Sequence, residues 1–360
     1  MKVMIAAGGT GGHIYPGIAV ANEIMRRDPA SEVLFVGTAR GLETRIVPEN
    51  GFQLSLIHSA GLKSVGIGGQ IKGLVILPRS FVEARRLLRE FRPDVVVGAG
   101  GYVSGPVLTM ASVMKVPTLV MDSNALPGFT NRRLAMFVKR AALTFDEALP
   151  YFGKKGVVTG NPVRNEFFDV PVRTPGEQPS ILIFGGSQGA RAINEAMIEG
   201  LAELSEWKNE ISITHQTGEA DFEHVRQAYR DAGWDSVDVR PYISNMVDSF
   251  AATDLVVCRA GATSCAELAA AGKPAILVPL PTAADDHQRK NAEALERGGA
   301  AKMVLQKDLT GDGLANAIIQ LIAAPEKLVE MGLAARKLAK RDAAETTVNI
   351  IEELKKDRGE

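Results

Sequence analysis

Cysteine is nearly absent. Two residues in 360, Cys258 and Cys265, cannot build a disulfide framework, and they fall in an apolar strand candidate and the helix candidate after it, where a reducing cytoplasm fits. Neither sign of charge predominates: a formal net charge of −1 argues against general nucleic-acid binding and leaves only local basic patches. No apolar run approaches the length that spans a bilayer. Met1-Lys2-Val3-Met4 passes straight into a strand candidate, without the basic segment, apolar stretch and cleavage site of an export signal. The expectation is a soluble or peripheral protein. No Asp-x-Asp and no spaced His/Cys cluster occurs, which disfavours a metal-held diphosphate. Gly-Lys-Ser/Thr is missing too, so there is no P-loop.

What is present is a long alternation of short β-rich runs and helical stretches, the pattern of parallel sheets covered by helices on both faces. Runs at Val3 to Ala7, Glu32 to Gly37, Gln53 to Ile57, Asp94 to Gly98, Thr118 to Met121 and Ala141 to Phe145 form a first series. Between Gly160 and Pro179, Asn161-Pro162, Pro171, Pro175, Gly176 and Pro179 break the periodicity and mark a linker. A second series follows at Ile181 to Phe184, Ile211 to His215, Val237 to Val239, Leu255 to Cys258, Ala275 to Val278 and Ala301 to Leu305. Two similar α/β domains are expected, since 360 residues exceed what one core usually serves. A last helix near Ala344 to Lys356 puts Val348, Ile351 and Leu354 on one face that must be buried.

Three glycine loops stand between strand and helix candidates: Gly8 to Gly12, Gly98 to Gly105 and Gly185 to Gly189. Small glycines let backbone N–H groups approach an anion at a helix N-terminus. A dinucleotide site is nevertheless disfavoured. Counting from Gly9, the sixth position is Ile14, and the second strand ends in Gly37-Thr38 without the acid that holds a ribose diol. Backbone donors and helix dipoles are left to hold phosphate.

Gly8 to Gly17 (Gly-Gly-Thr-Gly-Gly-His-Ile-Tyr-Pro-Gly), Gly100 to Pro106, Gly160 to Arg164 (Gly-Asn-Pro-Val-Arg), Gly185 to Arg191 and Cys258 to Glu267 together resemble the MurG family of glycosyltransferases. The resemblance implies a GT-B fold, two Rossmann-like domains with parallel sheets and the active site in the cleft. It places an acceptor and membrane-associating domain at 1–162 plus 342–360 and a UDP-GlcNAc-binding domain at 163–341. The implied activity is inverting transfer of GlcNAc from UDP-GlcNAc to the C4 hydroxyl of MurNAc in lipid I, giving lipid II, without a cofactor or catalytic metal. Partners in the wall-building machinery follow from the family alone. So does a peripheral place on the cytoplasmic face of the bacterial inner membrane.

Carried over residue by residue, the family implies UDP-GlcNAc contacts at Thr10, Gly11, Gly12, Asn124, Arg164, Ser187, Ile243, Ala262, Glu267 and Gln288. Glu267 would accept from both ribose hydroxyls; by itself it serves equally as an acid complementing a helix dipole. Ile243 would meet uracil through its backbone, with Tyr242 and Met246 as walls of the base pocket or as core. His287 stands where many relatives have glutamine, and Met121-Asp122-Ser123 departs from the usual His-Glu-Gln before Asn124. The acceptor diphosphate is expected at Gly9, Gly11, Gly12, Gly101, Tyr102 and Ser104. An inverting transfer needs a base, and of the five histidines only His13 sits at a glycine-loop helix start, where the dipole favours the neutral form. A histidine that merely ties the loop to a carbonyl is the alternative. Ile71 to Leu88, with Ile71, Leu74, Val75, Leu77 and Phe81 among Lys72, Arg79, Arg85 and Arg86, is either a membrane-facing surface or a core helix with a solvated basic face. A UDP-GlcNAc 2-epimerase and a non-catalytic nucleotide-sugar binder remain open.

Overall fold

The computed structural model describes residues 1–59, 67–173, 176, 178–186 and 188–357, the side chains of residues 67–75 and of Ala284 excepted. The chain divides into two compact units, Met1–Arg164 with Lys340–Glu360, and Asn165–Ala339.

The first unit alternates β1 (Lys2–Ala7), α1 (Gly11–Arg27), β2 (Glu32–Gly37), α2 (Glu43–Glu49), β3 (Gln53–Leu56), α3 (Ile67–Phe91), β4 (Val95–Gly100), α4 (Ser104–Val113), β5 (Thr118–Asp122), α5 (Phe129–Leu134), β6 (Arg140–Leu143), α6 (Leu149–Phe152) and β7 (Gly156–Val158). Its seven strands are parallel in the order β3-β2-β1-β4-β5-β6-β7. β1 is buried on both sides, as a central parallel strand must be. Because side chains alternate across a strand, Val3, Ile5 and Ala7 enter one core cluster and Met4 and Ala6 the other. Strand order reverses between β1 and β4, so the loops after those strands stand at the switch point where α/β sheets bind ligands.

The second unit alternates β8 (Ser180–Phe184), α7 (Arg191–Glu199), β9 (Ser212–Gln216), α8 (Phe222–Asp231), β10 (Asp238–Arg240), α9 (Met246–Ala251), β11 (Leu255–Cys258), α10 (Ala262–Ala271), β12 (Ala275–Leu277), α11 (His287–Arg297) and β13 (Ala301–Met303), then α12 (Gly311–Ile322) and α13 (Pro325–Leu338). Its parallel order, β10-β9-β8-β11-β12-β13, puts the switch between β8 and β11.

The chain then returns to the first unit as α14 (Ala343–Lys356), whose Val348, Ile351 and Leu354 join the core beside α1. Arg27 locks the two helices together by donating to Asn349 Oδ1 at 2.7 Å, Glu352 Oε1 at 3.3 Å and the Glu345 carbonyl at 3.1 Å.

Three expectations shift. β7 lies outside the sequence reading, because three residues after Lys154-Lys155 carry no readable periodicity. The helix after the first glycine stretch begins inside the expected Gly8 to Gly12 loop, at Gly11. The linker is not a free connector: Asn165–Asp169 forms a 3₁₀ turn, Phe167 packs 5.5 Å from Phe250 within the second unit, and Arg336 donates to the Phe168 and Val170 carbonyls.

Candidate active site

At the switch point of the first unit, the β1 and β4 loops touch. Gly101 has φ +80°, and a Cβ there would lie 2.2 Å from the Gly8 carbonyl oxygen. Gly100 has φ +120°, and a Cβ there would lie 2.2 Å from His13 Nδ1. Only glycine permits this approach. The imidazole therefore lies against the β4 loop, where the two expected acceptor loops meet.

His13 is the third residue of α1. Thr10 caps the helix through its extended backbone, and its carbonyl accepts the His13 N–H at 3.1 Å. Gly11 and Gly12 thus stand in the first turn, whose N–H groups have no acceptor within a helix and carry the positive end of its dipole. The glycine stretch is half loop and half helix, which aims its donors outward from the sheet edge.

The expected diphosphate residues divide. Gly9 N–H donates to the buried Glu43 Oε2 at 2.9 Å, so this donor is spent inside the protein. Ser104 is also spent: its fully buried hydroxyl accepts the Gly100 N–H at 3.1 Å and lies 3.0 Å from the Ala6 and 2.9 Å from the Gly100 carbonyl oxygens. In this structure both residues are engaged by the protein itself. Tyr102 is exposed, and its carbonyl accepts the Ser59 hydroxyl at 2.9 Å.

Asn124 follows β5, and its N–H donates to Asp122 Oδ1 at 3.0 Å. The other Asp122 oxygen accepts from Gly128 N–H at 3.1 Å and Asn131 Nδ2 at 2.8 Å. Burial raises the Asp122 carboxyl to about 6 despite these donors. The unusual Met121-Asp122-Ser123 is thus a hydrogen-bonded platform under Asn124. Ser123 donates to Asn161 Oδ1 at 2.9 Å, and the buried Asn161 Nδ2 has no acceptor among the described residues. Arg164 belongs to this unit as well. Its guanidinium stands 5.9 Å from the Tyr15 ring centroid, and Tyr15 covers Gly11, which gathers Arg164 to the start of α1.

In the second unit Ser187 lies outside the described residues. The rest of its loop is braced by the neighbouring strand end. Gly189 has φ +75°, with a Cβ there falling 1.8 Å from the Thr217 carbonyl oxygen, and Gln216 Nε2 donates to the Gly186 carbonyl at 3.0 Å. Behind it, buried His215 bonds Asn194 Oδ1 through Nε2 at 3.1 Å and Tyr229 Oη through Nδ1 at 3.0 Å. Burial lowers this histidine to about 3 and keeps it neutral.

Across the switch, Gly261 caps α10 and Ala262 opens it. Glu267 is half-buried in the second turn, beyond the first turn where a dipole-complementing acid is strongest. Ile243 is buried, whereas Tyr242 is exposed. Gln288 Oε1 accepts the Leu280 N–H at 3.0 Å, and Asn291 Nδ2 donates to the Ala260 carbonyl at 3.2 Å. These bonds pin α11 to the sheet's carboxyl edge. Asp285 and Asp286, both at φ +55°, make the tight entry before His287. No group of three or more His, Cys, Asp or Glu side chains among the described residues is arranged to hold a metal.

Glu43 had no signal in the sequence, and Asn161 stood in the Gly160 to Arg164 motif with no role attached to it. Each acquires its place from residues far along the chain.

Residues 3–143 match the glycosyltransferase family 28 N-terminal domain and residues 180–347 its C-terminal domain. The chain is 48% identical over 361 residues to a UDP-N-acetylglucosamine--N-acetylmuramyl-(pentapeptide) pyrophosphoryl-undecaprenol N-acetylglucosamine transferase of Anaeromyxobacter dehalogenans strain 2CP-1, covering 99% of this chain and 94% of that one. It is 45% identical to the protein of the same name from Geobacter sulfurreducens, over 97% of both. Among solved structures, Acinetobacter baumannii MurG superposes with a TM-score of 0.80 at 31% identity, covering 98% of this chain and 99% of that one. A UDP-GlcNAc 2-epimerase from Neisseria meningitidis superposes at 0.71 with 15% identity, over 98% and 100% of the two chains, a likeness of fold alone.

Proposed function

The chain belongs to glycosyltransferase family 28, and from that membership we infer that it transfers N-acetylglucosamine from UDP-N-acetylglucosamine to N-acetylmuramyl-(pentapeptide) pyrophosphoryl-undecaprenol, lipid I, to make lipid II of peptidoglycan. What carries the reading is the end-to-end match to enzymes named for this transfer.

The second unit takes the donor. Ser187 and the backbone of its loop meet phosphate, Ile243 meets uracil through its main chain, and Ala262 offers a first-turn N–H at α10. Glu267 accepts from the ribose diol and Gln288 meets the sugar. The first unit takes the acceptor. Gly11, Gly12, Gly101 and Tyr102 receive its diphosphate, and His13 removes the proton from the C4 hydroxyl of MurNAc as that oxygen attacks the anomeric carbon with inversion. Thr10, Asn124 and Arg164 complete the contacts to UDP-GlcNAc from this unit, the guanidinium offsetting charge that develops on the leaving diphosphate.

A lipid-linked acceptor calls for a peripheral membrane contact, on the cytoplasmic face of the inner membrane. Two features of the first unit support one. Val82 of α3, Val113 of α4 and, past α5, Met136 and Phe137 expose large apolar side chains, Val113 at 71% and Met136 at 69%. Arg132 and Arg133 flank them, 6.0 Å and 5.3 Å from the ring centroids of Tyr151 and Phe129, and the Ser112 hydroxyl donates to the Phe137 carbonyl at 3.3 Å. Such basic, apolar surfaces gain about 1 kcal/mol per Lys or Arg near anionic lipid. Val82 is the part of Ile71 to Leu88 that belongs to this surface. There the side chains of Ile71, Lys72, Leu74 and Val75 lie outside the described residues, Arg79 and Arg86 pair with Glu83 and Glu90, and Leu88 is core. No helix among the described residues is long and apolar enough to cross a membrane.

One assay separates the readings. UDP release from UDP-GlcNAc only on addition of a lipid I analogue, with the analogue gaining one N-acetylhexosamine, is the expected result. Conversion of UDP-GlcNAc alone marks an epimerase, and binding without turnover marks a non-catalytic protein.

A further inference from the structure

We propose that Glu43 is a positioning residue for the transfer: its carboxylate fills the β1 loop from inside and sets where α1 begins, and so where His13 stands. The role rests on the acceptor reading of that loop. Three donors converge on this one fully buried side chain. Gly9 N–H reaches Oε2 at 2.9 Å, and Thr38 supplies Oε1 with its N–H at 2.8 Å and its hydroxyl at 2.9 Å. The backbone closes around it, since a Cβ on Gly8, Gly37 or Gly41 would come within 2.8, 2.5 and 1.8 Å of Glu43 atoms.

The location explains the design. In a dinucleotide fold an acid at the end of β2 receives a ribose. Here β2 ends in Gly37-Thr38, and the acid arrives instead from α2, with both oxygens already occupied by the protein's own donors. A ribose has nothing left to bind there, so the position that takes a ribose in a dinucleotide fold is closed by an internal anion. Gly9 is held at φ +92° by the same bond, one residue before the Thr10 cap. The first turn of α1, with Gly11, Gly12 and His13, is built on that anchor.

The test compares wild type, Glu43→Gln and Thr38→Val, with kcat expressed per UDP-binding site so that misfolded protein is not counted. Gln keeps the volume but brings an NH2 group against one of the convergent donors. The expected result for Glu43→Gln is a kcat lower by on the order of tenfold or more, as small misplacements of reacting groups produce. UDP affinity and the KM for UDP-GlcNAc should stay within about twofold, because their main determinants are in the other unit. Thr38→Val removes one donor of three and should show the same split at roughly two- to fivefold. A kcat per site unchanged in Glu43→Gln, or falling only together with donor affinity, overturns the role. If Glu43→Gln does not fold, Thr38→Val decides alone, and an unchanged kcat overturns the proposal. A wild type inert toward the lipid I analogue overturns the transfer reading itself.

Discussion

The glycine loops after β1 and β8 occupy equivalent switch points and are written alike in the sequence, yet they are braced in opposite ways. The β1 loop is filled by a carboxylate from its own unit, which consumes the Gly9 N–H just before the first turn of α1. The β8 loop is held by neutral groups, the Gln216 amide on the Gly186 carbonyl and the close passage of Gly189 over Thr217. No carboxylate bonds to its described residues. On the proposed reading, the loop that carries its own anion supports the neighbouring base, and the loop braced by neutral partners is the one that faces the donor's phosphates.

The largest test of this contrast is His13→Ala. Turnover should fall by about 10²–10⁴-fold, the span of a lost general base, with UDP-GlcNAc affinity nearly intact in calorimetry. Parallel losses of both would instead make His13 a structural residue. Glu267→Ala should do the reverse: loss of charge-assisted bonds to the ribose, about 1.5–3 kcal/mol, raises the KM for UDP-GlcNAc roughly ten- to a hundredfold while the acceptor KM holds.

Backbone strain should sort next. Gly101→Ala and Gly189→Ala each set a methyl against a carbonyl oxygen at positive φ and should lower the thermal midpoint well beyond Gly51→Ala. That third site also has positive φ, +80°, but nothing within 4 Å, and should cost only about 1 kcal/mol. Equal midpoints for the three would show that the tight approaches carry no weight.

The smallest effect distinguishes the units by pH. His215 is lowered from 6.5 to about 3 by burial, so its contribution to stability is present above pH 6.5 and is lost as the pH falls toward 3. Asp122 is raised from 3.8 to about 6, so its contribution is present below pH 3.8 and is lost as the pH rises through 6. Urea unfolding between pH 4 and 6 should therefore steepen with pH in Asp122→Asn and flatten in His215→Gln. Unchanged slopes would dismiss both assignments.

Much of this fold was legible because parallel strands buried on both faces read as short apolar runs, as Val3 to Ala7 and Leu255 to Cys258 do, and because glycine clusters mark the turns between them. Val348, Ile351 and Leu354 revealed a buried helical face by spacing alone. β7 stayed hidden because three residues cannot establish a period. The internal bonds of Ser104 and Gly9 stayed hidden for a different reason: a hydroxyl or N–H beside a phosphate-binding motif reads the same whether its partner is a ligand or the Ala6 carbonyl and Glu43.

By itself, then, the order of residues determined the alternation of strands and helices, the places of the glycine turns and the candidacy of His13, since each depends on neighbours within a few positions. Only the tertiary structure decided which loop donors are spent and which face outward. Glu43 lies 34 positions from Gly9 and Ser104 lies 98 from Ala6. Hydrogen bonds at such separations are set by how the sheet is ordered and how α2 and α4 pack on it, and local sequence does not encode that.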